Sequence, residues 1–175
     1  MMKKILVIGP GGAGKTTFAN QLGEILGIEV VHLDSLYWKA GWVEPPKLEW
    51  AATLAEVLGR SAWIMDGNYS GSLGLRLEAS DAVVFLDLPR LICMWRVLKR
   101  AARYRNATRP EMADGCPERL NIEFLVWIWN YRKRTRPKTL KLLQEHQSNR
   151  EIIRLRSSEQ IEQFLARARD AKHDF

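Results

Sequence analysis

The stretch Ile5–Thr17, ILVIGPGGAGKTT, limits what this chain can fold into more than any other. A short apolar run from Ile5 to Ile8 meets a turn built of Gly9, Pro10, Gly11, Gly12, Ala13 and Gly14. Lys15, Thr16 and Thr17 then open a helix-competent segment. These residue types at this spacing follow G-x-x-x-x-G-K-[ST], the P-loop. Glycines let the backbone turn tightly enough for successive N–H groups to point at phosphate oxygens. The helix that follows offers its positive end to the same anion. Lys15 is expected to reach the β- and γ-phosphates, and the Thr16 hydroxyl to ligate Mg²⁺. A nucleoside triphosphate, ATP with Mg²⁺, is therefore the expected ligand.

At 175 residues, 46% of them hydrophobic and 27% charged, the chain is expected to form one domain over 1–175. No apolar run approaches the length of a membrane span. The opening MMKKILVIGP superficially resembles a signal peptide. Its apolar run is too short for one and leads directly into the P-loop, so it is read as structure. Cys93 and Cys116 form neither a metal spacing nor a disulfide framework, which fits a reducing cytoplasm. The net charge of +7 attracts polyanions, either nucleic acid or nucleotide phosphates. The arginines concentrate between Arg96 and Arg136, which favours phosphate handling at one site over nucleic-acid binding.

Patterning predicts strands at Lys4–Ile8, Glu29–His32, Ala62–Met65, Ala82–Leu86 and Ile152–Leu155. Helices are expected from Lys15 to about Leu26, with Gly27 as C-cap, and at Leu48–Leu58, Leu73–Ala79 and Arg90 to about Arg105. Further helices are expected from Glu118 to about Arg134, over Leu140–His146, and from a Ser157 or Ser158 cap to about Lys172. Ser35–Lys47 reads as loop, and Asn106–Pro117, with two prolines and a glycine, as a mobile one. Alternating strands and helices imply a doubly wound, five-stranded parallel sheet covered on both faces. Such a sheet places Asp34, Asp66 and the P-loop on one edge.

Asp66, at a strand tip, is the expected Mg²⁺ partner of Thr16, held through water. Asp34 has two functional readings, as a general base toward an acceptor hydroxyl or as an orienting hydrogen-bond partner. Tyr37, Trp38 and Trp42 are candidates for an apolar wall beside the acceptor, while Trp50 is assigned to packing. Among Arg96, Arg100, Arg103, Arg105, Arg109, Arg132, Arg134 and Arg136, the stronger candidates for clamping phosphate are Arg100 and Arg109. A small lid at about 105–118 would bring those charges in on closure. His32, His146 and His173 are assigned no role.

With these residues in view, the chain resembles P-loop small-molecule kinases of the adenylate kinase/shikimate kinase type. The resemblance rests on Gly9–Thr17, Asp66-Gly67, Asp87-Leu88-Pro89 and the arginine-bearing region Arg96–Arg109. HLDSLYWKAGW, WIMDGNYSGSL, FLDLPR and TRPEMADGCPERL are more closely similar to the bacterial DNA topology modulation (FlaR-like) group. The resemblance implies strand order 2-3-1-4-5, Arg100 stacking on the adenine and Arg109 as a lid arginine over the phosphates. Adenylate kinases carry acceptor-phosphate arginines where this chain has Tyr37 and Ser70. Losing both charge-assisted forks shifts the expectation to a kinase acting on a hydroxyl. A nucleoside-monophosphate kinase, with Lys39 or Arg76 compensating, is the first alternative. An ATP-binding, nucleic-acid-associated protein is the second.

Overall fold

The computed structural model describes residues 2–105 and 107–173. Asn106, the first residue of the expected lid loop, lies outside the described residues. Five strands, β1 (Lys4–Ile8), β2 (Val30–His32), β3 (Trp63–Asp66), β4 (Ala82–Leu86) and β5 (Glu151–Leu155), form one sheet in the order β2-β3-β1-β4-β5. Every pairing is parallel. The central strands read as unbroken apolar runs because a parallel sheet is covered on both faces.

The period-2 alternation of side chains divides each run between two cores. Ile5 and Val7 of β1, Ile64 of β3, and Ala82 and Val84 of β4 face one core, with Phe18, Leu22 and Ile25 of α1 (Lys15–Leu26). Leu6, Ile8, Met65, Val83 and Phe85 face the other, with Leu54 and Val57 of α3 (Lys47–Gly59). Each of the larger of these side chains, once fully buried, contributes about 1.5–3 kcal/mol relative to exposure.

The register carries the functional consequence. Asp66 lies beside Val7 of β1 and His32 of β2, so the carboxyl ends of three strands converge under the P-loop.

Several expected boundaries move, each for a local reason. The segment read as loop from Ser35 begins inside a short helix, α2 (Leu33–Tyr37), which includes Asp34. Asp34 sits in the first turn, and the Ser35 hydroxyl donates to the His32 carbonyl at 2.8 Å. After the 3-10 turn Ser70–Ser72 and α4 (Leu73–Ala79), α5 spans Arg90–Arg103.

The helix expected from Glu118 begins instead at Ile122, as α6 (Ile122–Arg134). Asn121 caps it, its side-chain oxygen accepting from the Glu123 and Phe124 amides. Then α7 (Arg136–Glu145) starts four residues earlier than expected. Pro137 sits in its first turn, where a missing N–H costs nothing. The chain ends on α8 (Ser158–His173), whose first turn is capped by the Ser157 hydroxyl accepting from the Gln160 amide. Among the described residues no helix is long and apolar enough to cross a membrane.

Candidate active site

The P-loop runs from the end of β1 into α1, and packing fixes its shape. Gly12 adopts φ +80°, and a Cβ there would overlap the Cys93 carbonyl of α5. Gly14 takes the left-handed conformation at the N-cap of α1 (φ 89°), turning the chain so that the Lys15 and Thr16 amides open the helix. The Lys15 ammonium donates to the Gly9 and Pro10 carbonyls, both at 3.1 Å, and so rests within the loop itself. Asn68, just past β3, braces the loop from the side. Its amide donates to the Gly9 carbonyl at 2.5 Å, and its oxygen accepts from the Gly9 amide at 3.0 Å.

Beside the loop, the Thr16 hydroxyl donates to Asp66 Oδ2 at 2.6 Å, and His32 Nδ1 lies 3.3 Å from the same oxygen. Asp66 is 7% exposed. Its Oδ1 is buried with no partner among the described residues. A buried carboxylate oxygen without a donor is costly unless a cation or its water meets it. Among the described residues no group of three or more His, Cys, Asp or Glu converges on a common point. The Thr16 hydroxyl and the Asp66 carboxylate are hard oxygen donors of the kind Mg²⁺ takes, since it keeps most of its waters and needs only one or two protein oxygens beside substrate phosphates.

On the β2 side, Asp34 Oδ1 accepts a hydrogen bond from the Tyr69 hydroxyl at 2.7 Å. Burial, and then the Asp34 charge, hold the Tyr69 phenol well above its ordinary pKa, so it stays a donor. Tyr69 has φ 33°, an unusual backbone for a bulky residue. Arg76 of α4 holds that turn. It is fully buried and donates to the carbonyls of Gly67 (2.9 Å), Asn68 and Tyr69 (3.0 Å). Burial lowers its pKa to about 10.

Tyr37, Trp38 and Trp42 do come together, joined by Trp50 and Tyr69. Tyr37 meets Trp38, Trp50 and Tyr69 with ring centroids 5.1, 5.0 and 4.7 Å apart, and Trp38 meets Trp42 at 5.4 Å. The cluster forms one aromatic wall, and its Tyr69 ring carries the hydroxyl that bonds Asp34.

The segment 107–121 packs over that wall. The Gly41 amide donates to the Gly115 carbonyl (2.9 Å), and the Trp42 indole to the Pro117 carbonyl (3.2 Å). Arg100 and Arg109 are brought together, but on Glu118. Arg100 Nη2 lies 3.0 Å and Arg109 Nε 2.6 Å from its two carboxylate oxygens. Glu118 is 8% exposed. Burial and the neighbouring Arg109 charge lower the Arg100 pKa, while Glu118 and Asp34 oppose them. Arg96 is the arginine that touches the P-loop, donating to the Ala13 carbonyl (3.1 Å) and the Ser158 hydroxyl (3.2 Å).

Of the residues that sequence reasoning names, Thr16 and Asp66 meet directly, Lys15 rests on its own loop, and Asp34 meets Tyr69. Sequence reasoning gives Asn68, Tyr69 and Glu118 no role, considers His32 and assigns it none, and considers Arg76 only as a compensating cation. Tyr69 and Asn68 adjoin the Asp66-Gly67 pair, which is a local signal. Glu118 is recognised only once the lid segment is folded back on α5.

The strand order and the P-loop at the end of β1 define the P-loop kinase fold, and solved structures bear this out. A sugar kinase from Janibacter sp. HTCC2649 matches with TM-score 0.54 and 19% identity, over 96% of this chain and 92% of that one. Shikimate kinase from Acinetobacter baumannii, in complex with shikimate, matches with TM-score 0.56 and 20% identity, over 99% and 90%. A gluconokinase from Sinorhizobium meliloti 1021 matches with TM-score 0.54 and 14% identity, over 98% and 92%. At these identities the likeness is one of fold. No protein-family profile and no curated protein sequence matches the chain.

Proposed function

We propose that this chain is an ATP- and Mg²⁺-dependent kinase that phosphorylates a hydroxyl of a small-molecule acceptor. The observation that carries this is the state of Asp34. It is presented by Tyr69 on the acceptor side of the sheet edge, and among the described residues no arginine bonds it or Asp66. Arg76 has its donors on three backbone carbonyls and the Ser72 hydroxyl, and Lys39 is paired with Glu49 at 2.8 Å. The two residues that would compensate in a monophosphate kinase are therefore engaged elsewhere. The solved neighbours titled as sugar kinase, shikimate kinase and gluconokinase agree in kind.

In this reading Gly9 and Gly11–Thr17 cradle the triphosphate, and Lys15 swings from the Gly9 and Pro10 carbonyls onto the β- and γ-oxygens. Thr16 and Asp66 hold Mg²⁺, which neutralises charge on the phosphates when bound. The acceptor oxygen attacks the γ-phosphorus, its proton passes to the Asp34 carboxylate, and the β–γ bridging oxygen leaves with ADP. Tyr37, Trp38 and Trp42 exclude water from the acceptor. Arg100 and Arg109 transfer from Glu118 to the phosphates as the lid at about 105–118 closes within the single 1–175 domain. Arg100 is assigned to stack on the adenine, and Arg96 braces the loop through the Ala13 carbonyl. Resemblance to the topology modulation group and the net charge of +7 leave nucleic-acid association as a second reading, which steeply salt-dependent DNA affinity would support.

Coupled turnover on a panel of sugars, sugar acids and cyclic polyols, run beside nucleoside monophosphates, tests the proposal. Hydroxyl acceptors should turn over and monophosphates should not. The reverse preference would restore the monophosphate kinase.

A further inference from the structure

On the side of the P-loop away from Asp34, a cavity of about 370 Å³ opens between the ends of β4 and β5 and the start of α7. Its size lies within the roughly 300–1,000 Å³ of small-molecule sites. Pro10 is the one P-loop residue on its wall, while Lys15, Thr16 and Asp66 do not line it. The wall carries five arginines, Arg90, Arg132, Arg136, Arg154 and Arg156, and one carboxylate, Asp87.

Asp87 uses only two of them. Arg136 Nε donates to both of its oxygens, at 2.9 and 3.1 Å. Arg154 donates to Oδ2 through Nε at 2.8 Å and through Nη2. This leaves the two Nη groups of Arg136 without a partner among the described residues. The carboxylate thus sets the orientation of two forks whose outer edges stay available. Arg132 and Arg156 are exposed, and their guanidinium groups have no partner among the described residues. Arg90 lies on the Trp129 ring, 4.0 Å from its centroid. It opens α5, whose N-cap Pro89 supplies no side-chain acceptor, so the helix adds positive charge to the same wall.

Five cations around one carboxylate, three of them held in place by Asp87 or Trp129, repel one another, and nothing in the P-loop chemistry above needs them here. An oxyanion would offset that repulsion, and guanidinium forks match phosphate geometry. We infer that this cavity is a second anion site, distinct from the P-loop, which binds a small phosphate-bearing ligand between Arg132, Arg136 and Arg156.

Calorimetric titration of sodium pyrophosphate at fixed ionic strength tests it, with fold monitored by circular dichroism. Wild type should show two sites. Lys15→Ala should keep the arginine site and weaken the other. Arg132→Ala/Arg156→Ala should lose the arginine site by more than tenfold while keeping its affinity for a non-hydrolysable ATP analogue. Single Arg156→Ala serves if the double variant is unstable. Loss of all pyrophosphate binding in Lys15→Ala would overturn the inference, as would two intact sites in the arginine variants. A fall in ATP-analogue affinity parallel to the loss of pyrophosphate would assign the cavity to the triphosphate itself, and would also overturn it. None of these outcomes depends on the acceptor, so they are separable from failure of the kinase proposal.

Discussion

The Lys15 ammonium is held by two carbonyls of its own loop, so truncating it leaves the two cores untouched. Lys15→Ala should abolish phosphoryl transfer and leave the circular dichroism spectrum and melting temperature close to wild type. Retained turnover would remove the basis for ATP use. At Asp34, substitution by Asn preserves shape and discards basicity. If the carboxylate takes the acceptor proton, kcat should fall about 10²–10⁴-fold while ATP affinity holds. Tyr69→Phe keeps the ring against Tyr37 and Trp50 but deletes the 2.7 Å hydrogen bond. A bond to a charged group contributes about 1.5–3 kcal/mol, so kcat should drop roughly ten- to hundredfold. An unchanged kcat would mean that Tyr69 merely packs.

Among the elements, the segment 107–121 has the most at stake. Sequence alone reads Asn106–Pro117 as mobile, whereas from 107 onward it docks on the aromatic loop and ties two arginines to Glu118. Glu118→Gln keeps the size and removes the charge that holds them. Amide exchange across 107–117 should then rise several-fold, and an ATP analogue with Mg²⁺ should suppress it again. Equal exchange in wild type and variant would show that the ion pairs do not hold the segment.

A second element-level device joins the starts of β1 and β4. The Asp81 carboxylate accepts from the Lys3 and Lys4 amides at 2.8 and 2.9 Å. Burial raises its pKa, but these amides and the Lys4 charge outweigh it and hold the pKa below the ordinary value. Since the folded value lies below the unfolded one, the stabilisation is complete above about pH 4 and is lost as pH falls through the folded value. Asp81→Asn should therefore flatten the acid limb of melting temperature against pH, and an unaltered limb would assign acid sensitivity elsewhere.

For the molecule as a whole, α1 would link nucleotide binding to global stability under the proposed function, because its first turn carries Lys15 and Thr16 while its apolar face forms one core. A ligand bound only by the folded state at a hundredfold excess over Kd adds about 2.7 kcal/mol. At this chain length that corresponds to a rise in melting temperature of roughly 5–10 °C. Thermal shift with an ATP analogue and Mg²⁺ should show it in wild type and not in Lys15→Ala. Asp66→Ala should diminish the part of the shift that Mg²⁺ adds.

The P-loop, the five strands and most of the helices were legible in the sequence because each rests on short-range rules, whereas the short α2 reads as loop. Apolar runs mark strands covered on both faces, glycines mark the turn, and a 3.6-residue stripe marks α1. The placement of Thr16, Asp34 and Asp66 along one sheet edge was legible for the same reason, since a parallel sheet gathers its strand ends there. The tertiary structure alone decided which arginines meet which carboxylates. Arg100 and Arg109 share Glu118, Arg136 and Arg154 share Asp87, and Arg76 disappears under the Asp66-Gly67 turn. A guanidinium on a long side chain reaches partners distant in sequence, and the Arg154–Asp87 pair spans 67 residues. Local pattern carries the positions of the backbone, and only the folded chain fixes where those charges come to rest.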